Sequence, residues 1–100
     1  MKVFISQPMK GKTNDEIIKE RKRVEKNIKE EYPNEEIEFI DSFFKDAPHD
    51  AKPLYFLGKA IELLSTADIA VFTKGWEKAR GCLMEYEACE NYGIKFMIEL

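Results

Sequence analysis

The stretch from Ile69 to Ile98, IAVFTKGWEKARGCLMEYEACENYGIKFMI, decides the fold. It begins with a short apolar run, Ile69-Ala70-Val71-Phe72, and ends with a second one, Ile94-Lys95-Phe96-Met97-Ile98. Between the two runs lie a loop and a helical segment from Gly81 to Tyr92. A strand, a loop, a helix and a second strand fit this order.

The residues before this stretch continue the same alternation. Lys2–Ser6 is a mostly apolar strand suited to burial on both faces. Thr13 and Glu16 form a capping-box pattern that opens a helix, and Pro33 ends it. A second strand follows at Ile37–Ile40, and a second helix starts at Pro53. The order βαβαβαβ predicts an α/β fold, a three-layer flavodoxin-like or Rossmann-like parallel sheet of about four strands.

Length and composition narrow the class of protein. A chain of 100 residues favours a single domain over residues 1–100. Its 44% apolar and 35% charged residues are typical of a soluble globular protein. The sequence shows neither a long apolar run nor a signal peptide, so we expect a cytoplasmic protein with no membrane partner. The net charge of −3 argues against a nucleic-acid partner.

The cysteines and the histidine give no sign of metal chemistry. Cys82 and Cys89 are seven residues apart, which is two helical turns, and they share one helix face. Their separation along the axis is about 10 Å, which is too far for a disulfide. We interpret them as small core residues. His49 is the single histidine, and no Cys-x-x-Cys motif is present. We therefore expect no metal site and no cofactor.

One carboxylate falls on the helix face that should meet the sheet. Winding the predicted helix at about 100° per residue places Glu85 on that face, whereas Glu87 and Glu90 fall on the other side. Glu85 also lies near the helix N-terminus, where the dipole favours negative charge. A carboxylate on an apolar stripe is costly unless it is paired, so Glu85 is a functional-site candidate. The alternative is that its side chain reaches water at the rim of the stripe.

Three loops should meet at one edge of the predicted sheet. They are Ser6–Lys12 after the first strand, Asp41-Ser42 after the second and Thr73–Arg80 after the third. In parallel sheets, ligands bind beyond the carboxyl ends of the strands, near the switch in strand order. We therefore predict a crevice faced by Glu85, with these candidate ligand contacts: Ser6, Gln7, Pro8, Met9, Lys10, Gly11, Asp41, Gly75, Trp76 and Gly81.

Two features of these loops have alternative interpretations. Gly11-Lys12-Thr13 matches the end of the phosphate-cradling P-loop, but Ser6 replaces its first glycine, so the motif is incomplete. Either Thr13 only caps the helix, or the helix start holds a single phosphate with Lys10 or Lys12. Trp76 either stacks on a base or sugar or covers the edge of the sheet.

Three short motifs, in order and spacing, resemble one known family. The first is Ile5-Ser6-Gln7-Pro8-Met9, and the second is Ala67-Asp68-Ile69-Ala70-Val71-Phe72. The third is Gly81-Cys82-Leu83-Met84-Glu85, followed by Ala88 and Gly93-Ile94-Lys95. Over nearly the whole chain they resemble the nucleoside 2-deoxyribosyltransferase superfamily, most closely a short branch with Gly-Trp before the Gly-x-x-x-Glu helix.

The resemblance implies an enzyme that cleaves or transfers the N-glycosidic bond of nucleosides or their 5′-monophosphates. In that family a helix glutamate, matched by Glu85, attacks the anomeric carbon and forms a covalent glycosyl intermediate. Acidic residues after the third strand help to handle the leaving base, and only Glu77 stands in that loop here. The family usually has Gly before the first-loop Pro, where this chain has Gln7.

Three classes of function follow for the sequence. The first is a nucleoside or nucleotide N-glycosidase or deoxyribosyltransferase with Glu85 as its nucleophile. The second is a non-catalytic protein that binds a nucleotide or a nucleotide-derived signal in the same crevice, and the third binds no ligand.

The size of the domain bears on its assembly. A domain this small leaves apolar helix surface uncovered, so we also expect a homo-oligomer built from a two-fold dimer. The candidate contact residues are Phe43, Phe44, Leu54, Tyr55, Phe56 and Leu57.

Overall fold

The computed structural model describes residues 1–42 and 50–99, and these ranges contain four strands and three α-helices. Phe43, Phe44 and His49 lie outside the described residues. The elements follow one another in the predicted order βαβαβαβ. Their bounds are β1 Lys2–Ser6, α1 Asn14–Glu31, β2 Glu38–Phe39, α2 Pro53–Leu64, β3 Ile69–Phe72, α3 Arg80–Tyr92 and β4 Phe96–Ile98, with a 3-10 turn at Trp76–Lys78 before α3.

All pairings among these strands are parallel, and the strand order is β2-β1-β3-β4. β1 lies beside β3, with Val3 opposite Ile69 and Ser6 opposite Phe72. β2 lies on one side of β1 in the sheet, and β3 lies on the other side. The switch in strand order therefore lies between β1 and β3, as in flavodoxin-like sheets.

One face of the sheet packs against α1. Val3 and Ile5 of β1 and Val71 of β3 contact Val24 and Ile28 of that helix. These two helix residues are four apart, so they lie on one side of α1. Burial of this stripe holds α1 across the sheet and directs the N-terminal end of the helix toward the end of β1.

The other face packs against α2 and α3. Phe4 and Phe72, which point opposite to their strand neighbours, contact Leu64 of α2 and Cys89 of α3. Helices therefore cover both faces of the sheet, and the predicted three-layer α/β fold is confirmed. Both cysteines are free thiols and are buried, as their helix face predicted.

The start of α1 shows the predicted capping box. The Glu16 amide donates to Thr13 Oγ1 at 3.2 Å, and the Thr13 amide donates to Glu16 Oε1 at 3.0 Å. Each bond satisfies a backbone N–H that the first helical turn cannot pair internally. The box fixes where the loop after β1 ends.

Two strands are shorter than the sequence predicts. β2 pairs over Glu38–Phe39 instead of Ile37–Ile40. β4 begins at Phe96 instead of Ile94, because the Ile94 amide donates to Cys89 O at 3.0 Å and so closes the end of α3. Within the described ranges, no helix is both long and apolar enough to cross a membrane.

Candidate functional site

A cavity of about 1060 Å³ opens at the carboxyl ends of β1 and β3. Ser6 and Gln7 at the end of β1, and Lys74 and Gly75 just after β3, are among its lining residues. The cavity therefore lies at the switch in strand order, where the sequence predicts a crevice.

Glu85 lies in the wall of this cavity and is 7% exposed. It comes from the second turn of α3, on the helix face that turns toward the sheet. The Ser6 hydroxyl donates a hydrogen bond of 2.6 Å to Glu85 Oε1. Ser6 is 1% exposed, so the bond is shielded from water and joins the end of β1 to α3. The helical-wheel prediction that Glu85 faces the sheet is confirmed, and the side chain is buried instead of lying at a solvent-exposed rim.

Burial raises the pKa of Glu85 from 4.5 to about 7, although the hydrogen bond from Ser6 acts to lower it. A carboxylate loses most of its hydration in such a wall, and one hydroxyl replaces only part of it. Glu85 therefore exchanges its proton near neutral pH, which suits a group that takes part in chemistry.

The Ser6→Ala variant should raise the pKa of Glu85 further, because the hydrogen bond from Ser6 that favours the charged carboxylate is lost. Carbon-13 NMR of the glutamate carboxyl groups, followed against pH, measures this midpoint directly. Ser65→Ala is the matched control, since that hydroxyl bonds to Glu62 O at the far end of α2. A Ser6→Ala midpoint at or below that of the wild type would contradict the assigned role of the hydroxyl.

Cys82 also lines the cavity, one turn before Glu85. Burial raises the pKa of its thiol to about 11, and the nearby Glu85 carboxylate acts in the same direction. The thiol therefore stays protonated at neutral pH and is not the nucleophile of this site. Glu85 is the better candidate for that role.

Gln7 fixes the other side of the loop after β1. Its Nε2 donates to Ile17 O at 3.2 Å and to Glu20 Oε1 at 3.0 Å on α1. Lys12 Nζ lies 3.4 Å from the same Glu20 oxygen. The side chains of Gln7 and Lys12 thus both contact the first half of α1. These contacts hold the loop after β1 in place at the cavity.

The apolar wall of the cavity comes from α2. Pro53, Phe56, Leu57 and Ala60 line it, and their spacing of three or four residues places them on one side of the helix. Phe4 on β1 continues this surface. A flat aromatic ligand group can lie against such a wall, because apolar area removed from water stabilises the complex.

The charged residues of the lining are mostly basic. Of the described residues that line the cavity, five are basic and Glu85 alone is acidic. This differs from the chain as a whole, in which 19 acidic residues outnumber 16 basic ones. The cavity therefore favours an anionic ligand. The basic residues are Lys10, Lys12, Lys74, Lys78 and Arg80.

Most of the residues predicted to form the site meet at this cavity. The structure brings together Glu85, Ser6, Gln7, Pro8, Met9, Lys10, Gly75 and Gly81 along its lining. It places Gly11, Asp41, Trp76 and Glu77 outside the lining.

Trp76 and Glu77, in the 3-10 turn before α3, both lie outside the cavity lining. The ring of Trp76 stacks on Tyr86, with centroids 4.7 Å apart, and contacts Phe72 of β3 at 5.4 Å. The ring therefore covers the core between β3 and α3; it lies neither in the cavity lining nor, as the other alternative predicted, over the edge of the sheet, because β3 is an inner strand. Glu77 is the next residue in the same 3-10 turn and is exposed. The second carboxylate that the family resemblance implies therefore does not line this cavity.

Several lining residues were not among the predicted ligand contacts. Phe56 and Leu57 were predicted to contact a second copy of the chain, because an apolar helix stripe does not distinguish such a contact or core packing from a cavity wall. Lys74, Lys78 and Arg80 are exposed cations without a periodic pattern, so no motif identifies them. Ser42, in the loop after β2, lies at the cavity although its neighbour Asp41 does not.

Gly75 shows how the two main loops approach each other. Its φ of 89° lies in the left-handed region that favours glycine, and it begins the turn at Trp76–Lys78. A Cβ on Gly75 would lie 3.9 Å from Pro8 Cγ, so the loops after β1 and β3 are in contact at the cavity.

Comparisons of the chain with models of known families, with curated proteins and with solved structures give no match.

Proposed function

We propose that the protein cleaves or transfers the N-glycosidic bond of a nucleoside or nucleoside 5′-monophosphate, with Glu85 as the nucleophile. One observation carries the proposal: a carboxylate buried in the wall of a ligand-sized cavity and held by a 2.6 Å bond from Ser6. The sequence motifs that resemble the nucleoside 2-deoxyribosyltransferase superfamily support the same residue independently.

The chemistry follows from a carboxylate beside an anomeric carbon. A Glu85 oxygen forms a bond to C1′ while the C1′–N bond breaks, and the base leaves with that electron pair and takes up a proton from water. The resulting glycosyl ester is then attacked at C1′ by water, which loses its proton, or by a second base. Breakage of the ester C–O bond returns the carboxylate.

Burial of Glu85 favours this step electrostatically. Positive charge develops at C1′ in the oxocarbenium-like transition state, and a carboxylate in a site of low dielectric stabilises it more strongly than one in water. The Ser6 hydroxyl holds one oxygen, so the carboxylate is oriented before the substrate binds. Little reorganisation is then needed when the charge appears.

The two walls of the cavity fit the two ends of a nucleotide. The apolar surface of Phe56 and Leu57 suits a base, and the basic residues of the loops suit a phosphate. Glu85 lies in the lining of the same cavity, bonded to Ser6 at the end of β1, and the glycosidic bond of a bound nucleotide would face it.

Free base is the product that tests the proposal. The wild-type protein is incubated with the four 2′-deoxynucleosides, their 5′-monophosphates and the ribonucleotide counterparts, and released base is separated by chromatography. Release from at least one compound, abolished by Glu85→Gln, is expected. If no compound of the panel releases base when the ligand is present at a concentration that saturates the protein, the enzymatic role is refuted.

A second function is favoured by one observation. Glu85 is the one acidic group among the described residues that line the cavity, so no second carboxylate there can protonate a leaving base. A protein that binds a nucleotide or a nucleotide-derived signal needs the cavity but not that acid. Saturable binding without base release in the same panel distinguishes this function from the first.

We also propose a homodimer that uses the exposed start of α2. Leu54 is 72% exposed and Tyr55 is 41% exposed, which is costly for adjacent apolar residues in water. Light scattering should give a mass near twice 11.7 kDa at micromolar concentration. Leu54→Glu should restore the single-chain mass, whereas Tyr92→Glu, at an 84% exposed position at the end of α3, should not. A wild-type mass of 11.7 kDa that does not rise with concentration would rule out the dimer.

A further inference from the structure

We propose that the ligand of this cavity carries two linked phosphate groups, held between basic residues of two neighbouring loops. The inference rests on the proposed function for the nucleoside part of the ligand, and it replaces the single phosphate by a diphosphate. The diphosphate itself is inferred from the number, pairing and placement of the cations.

The cations belong to two loops. Lys10 and Lys12 lie in the loop between β1 and α1, and Lys74, Lys78 and Arg80 lie between β3 and the first turn of α3. β1 and β3 are hydrogen-bonded neighbours, so the loops leave the sheet about 5 Å apart. One anion at the cavity can therefore be approached from both loops.

Four of the five cations have no carboxylate partner among the described residues. Lys12 has one, since its Nζ lies 3.4 Å from Glu20 Oε1. The described part of the chain contains no ion pair for the others, although it pairs Arg23 with Glu99 at 2.9 Å elsewhere on the surface. Like charges around one cavity repel each other, and an anionic ligand removes that cost. The unpaired cations are Lys10, Lys74, Lys78 and Arg80.

The charge balance favours two phosphates over one. Lys12 and Glu20 offset each other, which leaves four positive charges from the lining residues opposite the partly ionised Glu85. A phosphate monoester carries about −1.5 to −2 at neutral pH, and a linked second phosphate adds roughly one further negative charge. A monophosphate therefore leaves about half of the positive charge without a partner, whereas a diphosphate offsets most of it.

The size of the cavity also admits the longer ligand. Its volume of about 1060 Å³ lies just above the usual range for small-molecule sites, about 300–1,000 Å³. The apolar lining residues come from α2 and the cations come from the loops after β1 and β3. Different parts of one cavity thus suit the nucleoside and the diphosphate.

Inorganic anions test the diphosphate without reference to any base. Calorimetry compares pyrophosphate with orthophosphate at fixed ionic strength, because such contacts weaken with salt. We expect pyrophosphate to bind at least about tenfold more tightly, a difference of about 1.4 kcal/mol. Lys10→Gln and Lys78→Gln, one in each loop, should each lower pyrophosphate affinity several-fold. Lys59→Gln, an exposed α2 lysine outside the lining, is the matched control and should change nothing.

Equal affinity for the two anions would overturn the inference. A loss of pyrophosphate affinity confined to the variant of one loop, or equally large in Lys59→Gln, would also overturn it.

A second experiment compares the binding of a nucleoside, its 5′-monophosphate and its 5′-diphosphate, all with one base, to the Glu85→Gln variant. The diphosphate should bind most tightly. Base release by the wild type, measured separately, tests the proposed function. If base is released but pyrophosphate is not preferred over orthophosphate, the diphosphate inference is rejected and the enzymatic role stands. If pyrophosphate is preferred but no base is released, the enzymatic role is rejected and the diphosphate inference stands.

Discussion

The Glu85→Gln variant is expected to release no base from any nucleoside or nucleotide while keeping the native fold. Glutamine preserves the shape of the side chain and can accept the Ser6 hydrogen bond, but it cannot form the glycosyl ester. The loss should amount to several kcal/mol of transition-state stabilisation, at least about a thousandfold in rate. Base release under single-turnover conditions measures it, and circular dichroism checks the fold.

The same variant should be more stable than the wild type at alkaline pH. The pKa of Glu85 is raised from 4.5 to about 7 in the folded protein, so the folded state binds the proton more tightly than the unfolded state. The cost of the buried charge is therefore absent below about pH 4.5, grows as the pH rises, and is complete above about pH 7. Glutamine has no such cost, and urea unfolding should show a gain of about 3 kcal/mol at pH 8 that vanishes toward pH 4.5.

Activity of the wild type should follow the same ionisation. Only the charged carboxylate attacks C1′, so the rate should rise with pH up to about 7 and then level off. Glu87→Gln is the matched control, because Glu87 is exposed on the opposite side of α3. Glu85 is not the nucleophile if Glu85→Gln keeps wild-type turnover, or if Glu87→Gln loses as much.

The Phe72→Ala variant should lose about 3–5 kcal/mol of unfolding free energy, which is a large part of the 5–15 kcal/mol typical of a domain. Phe72 is fully buried at the end of β3. Its ring centroid lies 5.4 Å from that of Trp76, 5.6 Å from that of Tyr86 and 5.9 Å from that of Phe96. Alanine would remove the ring that these three share and leave a cavity in the core.

Chemical denaturation at pH 6.0 measures this loss. Tyr92→Ala removes an aromatic ring that is 84% exposed, so it should change stability by less than about 0.5 kcal/mol. Comparable losses for the two variants would show that the aromatic cluster does not hold α3 on the sheet. The loss at Phe72 should also impair the site, because Trp76 and α3 position the loop that contains Gly75.

Periodicity predicted the parts of this structure that depend on burial. Short apolar runs, helical spacing and the capping box at Thr13 predicted the element order, and the helical wheel placed Glu85 on the sheet-facing side of α3. Both signals arise because a buried face must be apolar along its whole length, which leaves a regular trace in the sequence. A single carboxylate interrupts that trace and is therefore visible.

The remainder of the site leaves no such trace. Trp76 follows a glycine turn, and the same ring can face a ligand or the core without any change in spacing. The cations of the cavity are exposed, and an exposed lysine looks the same in sequence whether it lines a cavity or not. The apolar stripe of α2 splits between the core, through Leu64, and the cavity, through Phe56. Only the three-dimensional position of the helix end separates these uses.

The position of β1 at the centre of the sheet also governs the order in which the chain folds. The Lys2 amide donates to Asp68 Oδ2 at 2.7 Å, a contact between residues 66 positions apart. During synthesis the first strand therefore emerges long before its main partner, and Val3, Phe4 and Ile5 stay without the neighbour that buries them. Closing so long a segment is entropically slow, so the β1–β3 seam forms late. The cavity lies at that seam, so it forms only once β1 and β3 have paired.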